Sequence, residues 1–87
     1  MDLPDVLKDR YTFEFLAMLE TGPKMEIAFR GIRNSHYQNR QTLTVMIESG
    51  LVETVGDEKR RGTEYRLTEK GRRVLECLEI LVDAVRS

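Results

Sequence analysis

Residues 33–55 constrain this chain more than any other stretch: Arg-Asn-Ser-His-Tyr-Gln-Asn-Arg-Gln-Thr-Leu-Thr-Val-Met-Ile-Glu-Ser-Gly-Leu-Val-Glu-Thr-Val. The pattern is one amphipathic helix, a glycine stop and a strand. Ser35 to Thr42 carries almost no aliphatic residue but many side chains that both donate and accept hydrogen bonds. Leu43 to Ile47 supplies the apolar anchors. Such a helix is clamped into a domain by its C-terminal half and presents its N-terminal half to something polar. Merely solvated faces usually carry Glu and Lys, whereas this one carries Tyr, Gln, Asn, Arg and Thr.

The flanking elements follow from the same rules. Asp5 to about Glu20 predicts a first helix, with Leu7, Tyr11, Phe15, Met18 and Leu19 on one face. Thr21-Gly22-Pro23 ends it. Met25 to Arg30 predicts a short second helix stopped by Gly31. Asn34 or Ser35 caps the third helix, 35–49. Leu51–Val55 and Thr63–Leu67 predict two strands, with Tyr65 and Leu67 on one face and Glu64 and Arg66 on the other. Between them, Gly56 and Gly62 bracket five charged residues, the pattern of a hairpin tip. Thr68 caps a last helix running to about Val85, whose Gly71, Val74, Leu78, Leu81 and Val85 repeat at heptad spacing, widened by Leu75 and Val82. The fold class expected is mainly α with a small β-hairpin: a helix-turn-helix with a wing, plus a long C-terminal dimerisation helix.

Eighty-seven residues make a single domain over 1–87, with 5–67 as its core and 68–86 as the C-terminal helix. A chain this short buries only about 60–65% of its unfolded surface, so a partner chain is a natural source of stability. Net charge is −1, but its distribution is uneven. Residues 22–73 hold eleven Lys/Arg against seven Asp/Glu, a net of +4, and the remainder carries −5. A basic face can therefore exist on an acidic protein. One cysteine, Cys77, excludes an intramolecular disulfide and is expected to be half-buried rather than a redox thiol. No apolar run approaches the ~20 residues of a membrane span, and the acidic start Met1-Asp2-Leu3-Pro4-Asp5 is unlike a signal peptide. A cytoplasmic protein with no membrane partner is expected.

Three strings resemble known winged-helix regulators. Glu48-Ser49-Gly50-Leu51-Val52-Glu53 is similar to the end of the recognition helix and the start of the wing in MarR, ArsR and PadR-like regulators. Tyr65-Arg66-Leu67-Thr68-Glu69-Lys70-Gly71 is similar to their exit from the wing, and Leu19-Glu20-Thr21-Gly22-Pro23-Lys24 to the end of their first helix. The resemblance covers about residues 12–75 and is nearest to small archaeal winged-helix regulators. It implies a sequence-specific, homodimeric transcription regulator that binds double-stranded DNA. Two departures stand out. Asn39 occupies a position that is usually aliphatic, so its side chain must be hydrogen-bonded or lie nearer the surface. The wing mixes Asp57 and Glu58 with its basic residues.

The resemblance implies that the third helix enters the major groove and that the wing, 56–62, touches the minor groove or backbone. On a helical wheel, Leu43, Met46 and Ile47 define the buried face. Tyr37, Gln41, Thr44 and Glu48 point the other way, with Gln38 and Val45 beside them. Tyr37, Gln38, Gln41 and Thr44 are the base-edge candidates, because glutamine can pair with adenine and threonine can hydrogen-bond or touch a thymine methyl. Arg40 lies toward the flank, at phosphate. Ser35 and His36 sit at the helix N-terminus, where the dipole favours an anion. Lys59, Arg60 and Arg61 are the wing's phosphate or minor-groove candidates. Lys24, Arg30, Arg33, Arg66, Arg72 and Arg73 are weaker candidates for the DNA backbone, expected to be solvated. The dimer interface expected on the last helix is Val74, Leu75, Leu78, Leu81, Val82 and Val85. Two recognition helices would then lie about 34 Å apart.

No residues combine into a catalytic or metal-ligating set. His36 has no second ligand or paired nucleophile, and no glycine loop opens a helix to cradle phosphate. No enzyme activity, cofactor or small-molecule ligand is expected. The alternative function is a winged-helix protein-interaction module without a DNA role, which the pI of about 5.8 and the apolar Val45 and Tyr37 would suit.

Overall fold

Pro4 opens the first helix, and Asp9 ends it. In the computed structural model, which describes residues 1–56 and 62–87, α1 covers only Asp5–Lys8 and α2 covers Thr12–Glu20. The single helix expected from Asp5 to Glu20 is therefore two. Asp9 adopts extended angles (φ −83°, ψ 120°), and its Oδ1 accepts the Tyr11 N–H at 2.8 Å. An aspartate that bonds the backbone two residues on offers the chain an alternative to the helix ladder. The break also changes which residues are buried. Val6 enters the core and Thr12 packs beneath it, its hydroxyl donating to the Val6 carbonyl, while Leu7 stays 38% exposed.

The second helix expected over Met25–Arg30 is a 3-10 turn shifted one residue on, preceded by a short strand. Lys24–Met25 forms strand β1, and Glu26–Gly31 forms a 3-10 turn that buries Phe29. A third helix follows as expected. Ser35 caps α3 (His36–Glu48), its Oγ accepting the Gln38 N–H at 3.3 Å. Gly50, at φ +80°, then turns the chain into β2 (Val52–Val55). β3 (Glu64–Leu67) returns antiparallel to it, with Val52 opposite Leu67 and Glu53 opposite Arg66. These two strands are the expected hairpin, with Tyr65 buried and Glu64 exposed. β1 adds a third strand, Lys24 pairing with Tyr65, so the sheet order is β1-β3-β2. The chain is thus mainly helical with a small three-stranded antiparallel sheet and a long last helix.

α4 (Glu69–Arg86) is capped by Thr68, whose hydroxyl accepts the Gly71 N–H at 2.9 Å and donates to the Gly50 carbonyl. One side chain so ties the start of α4 to the end of α3. Gly71 lies against Leu51, where a Cβ would collide with the Leu51 carbonyl oxygen. The core joins Phe15, Leu16 and Leu19 of α2 to Phe29, Leu43, Met46, Leu51, Val52, Tyr65 and Leu75. Phe15 and Phe29 rings lie 4.5 Å apart, and Tyr65 meets Phe29 edge-on at 6.4 Å. Among the described residues, no helix is long and apolar enough to cross a membrane.

Candidate nucleic-acid interface

The presented face of α3 depends on how its buried face is anchored. The wheel placed Leu43, Met46 and Ile47 inside. Leu43 and Met46 are buried, but Ile47 is 36% exposed, and Asn39 and Thr42 take the inner positions instead. Asn39 is fully buried. Its Oδ1 accepts Arg33 Nε–H at 3.0 Å, and its Nδ2 donates to the Arg33 carbonyl at 2.7 Å. The departure from an aliphatic residue is thereby resolved by hydrogen bonding rather than by exposure.

Arg33, expected to be solvated, is the organising residue of this end. Its guanidinium donates to the Gln38 carbonyl and to Thr42 Oγ1, both at 2.7 Å. Thr42 in turn donates to Asp9 Oδ2 at 2.7 Å. The same guanidinium stacks 4.2 Å from the Tyr11 ring centroid. The turn before α3, the first turns of α3 and the α1–α2 break are thus held by one connected network. The signal for it in the sequence was a polar residue at a core position, which requires a partner, with the arginine six residues earlier within reach.

The outward face then follows. His36, Tyr37, Arg40, Gln41, Thr44 and Val45 line one open concavity of about 530 Å³. Five of these were predicted as contact residues, and Val45 is the addition. Tyr37 is 71% exposed, and its hydroxyl accepts Gln41 Nε2–H at 3.1 Å. Thr44 donates its hydroxyl hydrogen to the Arg40 carbonyl at 2.8 Å. Gln38 is exposed but lies outside this concavity. Ser35 spends its oxygen on the cap, so only its hydroxyl hydrogen remains for an anion. His36 is engaged as well: Nδ1 lies 2.9 Å from Glu26 Oε1, a buried oxygen with no other partner among the described residues. Arg30 Nη2 approaches the same ring nitrogen at 3.5 Å. In the tautomer with its hydrogen on Nδ1 the imidazole donates to Glu26 Oε1, Arg30 is then no donor to that nitrogen, and Nε2 faces an outside group. Lys59, Arg60 and Arg61, with Asp57 and Glu58, lie outside the described residues.

A second surface lies along α4. Leu7, Lys70, Arg73, Val74, Cys77, Leu78 and Leu81 line an open groove of about 510 Å³ between α1 and α4. Of the residues expected at a dimer interface, Leu81 and Val85 are exposed, and Val74, Leu78 and Val82 are half-buried. Leu75 is 1% exposed because it points into the chain's own core, so it is not available to a partner. Cys77 is exposed at the groove, not half-buried as expected. Among the described residues, no group of His, Cys, Asp and Glu could hold a metal ion.

A family model for a winged helix DNA-binding domain matches residues 11–71. Comparison with curated proteins and with solved structures returned no match.

Proposed function

Because the chain belongs to the winged helix DNA-binding domain family, we propose that it is a sequence-specific transcription regulator that binds duplex DNA as a homodimer. In this reading α3 lies in the major groove and the 56–62 segment reaches the adjacent minor groove or backbone. The observation that carries it is the α3 concavity. Side chains of base-reading and phosphate-binding type converge on one surface, while the inward face of the same helix is locked by Arg33 and Asn39. A reading helix must be held rigidly for its contacts to discriminate between bases. The support for a dimer is the α1–α4 groove, which leaves Leu7, Leu78 and Leu81 of a short chain uncovered or half-covered. A two-fold pair would read a palindromic site with half-sites one helical turn apart.

Gel shift against genomic fragments tests this, repeated with Gln41→Ala and with Arg60→Ala plus Arg61→Ala. The expected result is a subset of fragments retarded by the wild type, with relaxed preference for Gln41→Ala and a flatter salt dependence for the wing variant. Failure to retard any fragment at ~50 mM salt, where phosphate attraction is strong, would exclude it.

A further inference from the structure

The outward face of α3 does not offer all of its polar groups to a partner. The Thr44 hydroxyl hydrogen is already bonded to the Arg40 carbonyl. Thr44 therefore offers the concavity no donor, only its methyl group and the acceptor side of Oγ1. Val45 and the Tyr37 ring lie beside it, so the floor is apolar where a solvated helix face would be polar. Gln41 is constrained too. One of its amide hydrogens goes to the Tyr37 hydroxyl, which leaves the second amide hydrogen and Oε1, coplanar groups of one carboxamide, for a partner.

These two features match different parts of one kind of base pair. A donor and an acceptor in a plane complement the N7 acceptor and N6 donor of adenine. An apolar, methyl-sized surface complements the C5-methyl of thymine, the apolar group on the major-groove edge. A guanine O6, itself an acceptor, set against Thr44 and Val45 would lose its water without gaining a donor, because the Thr44 hydroxyl hydrogen is already taken. The spacing fits as well. Three residues of helix separate Gln41 from Thr44 by about 4.5 Å along the axis, near the ~3.4 Å between successive base pairs. No acidic side chain lines the concavity, and Arg40 and His36 border it.

Resting on the reading that α3 enters the major groove, we infer that this face selects an A·T step, with adenine paired to Gln41 and a neighbouring thymine methyl seated against Thr44 and Val45. The test begins with selection of bound duplexes from a random pool at ~50 mM salt. In the enriched half-site, each thymine is then exchanged for deoxyuridine, which lacks only the methyl, and each adenine for its 7-deaza analogue. One thymine exchange per half-site should weaken binding about fourfold, the effect of one buried methyl. The neighbouring adenine exchange should weaken it about tenfold. Thr44→Ser keeps the hydroxyl and removes the methyl. It should bind about fourfold more weakly and distinguish thymine from uracil less sharply than the wild type, with Val45 still in place. An enriched half-site with a G·C core, no thymine sensitive to the exchange, or a Thr44→Ser variant that distinguishes the two bases as sharply as the wild type would overturn this inference alone. Enrichment of no duplex would overturn both it and the DNA reading beneath it.

Discussion

Arg33 and Asn39 bond each other twice, side chain to side chain at 3.0 Å and side chain to backbone carbonyl at 2.7 Å. This reciprocal pair sets the start of α3 against the turn that precedes it. A leucine at 39 would pack, but it could not define where Arg33 goes. The carboxamide specifies both. The guanidinium then extends the fixed geometry to Gln38, Thr42 and the face of Tyr11.

Asn39→Leu should therefore destabilise the protein, although it restores the usual apolar character of the position. It leaves Arg33 Nε–H and the Arg33 carbonyl short of partners, at about 1–3 kcal/mol for a buried unsatisfied group. Urea denaturation measures this directly. Arg33→Lys should lose stability similarly, since a single ammonium cannot serve Asn39, Gln38 and Thr42 from one planar fork.

Gly71→Ala is expected to cost about 1–3 kcal/mol, despite the better helix propensity of alanine, because the new Cβ meets the Leu51 carbonyl. In a domain of this size each 1 kcal/mol lowers Tm by about 4–8 °C. A thermal melt with unchanged or raised Tm would mean that α4 can shift away from Leu51.

Leu75 and Leu81 lie on one helix and should respond in opposite ways. Leu75→Ala opens a cavity in the chain's own core and should cost about 2–5 kcal/mol of folding stability. Leu81→Glu alters a residue 58% exposed, so the circular dichroism spectrum should be preserved. If the groove pairs two copies, the wild type should sediment as a dimer and Leu81→Glu as a monomer. A wild type that sediments as a monomer at micromolar concentration would remove the groove's proposed role.

Phosphate contacts can be counted from salt dependence. Arg40→Ala should lower the slope of log K against log salt by about one, and Arg60→Ala plus Arg61→Ala by about two. Neither change should alter which fragments are preferred. A change of preference with Arg40→Ala would move that residue from the backbone to a base edge.

Much of this architecture was legible in the residues themselves. The capping serine and threonine, the glycine between α3 and β2, the alternation of β3 and the long apolar repeat of α4 are local signals, each produced by a few neighbouring side chains. Less legible were β1 and the α1–α2 break. A two-residue strand is too short to show alternation, and it exists only because β3 offers a free edge at Tyr65 and Glu64. The break needs Thr42, thirty-three positions away, to hold the second oxygen of Asp9.

The presented face of α3 divides along the same line. Its composition already marked Tyr37, Arg40, Gln41 and Thr44 as a surface meant for a polar partner, since helical periodicity alone sets which side chains share a face. Only the tertiary structure decided that Arg33 is a half-buried organiser and not a solvated cation, that Leu75 lies in the chain's own core, and that the Thr44 hydroxyl hydrogen is already taken by the Arg40 carbonyl. Each of these depends on which donor, acceptor or apolar surface comes within about 4 Å once the chain has folded, and separation along the chain does not determine that distance.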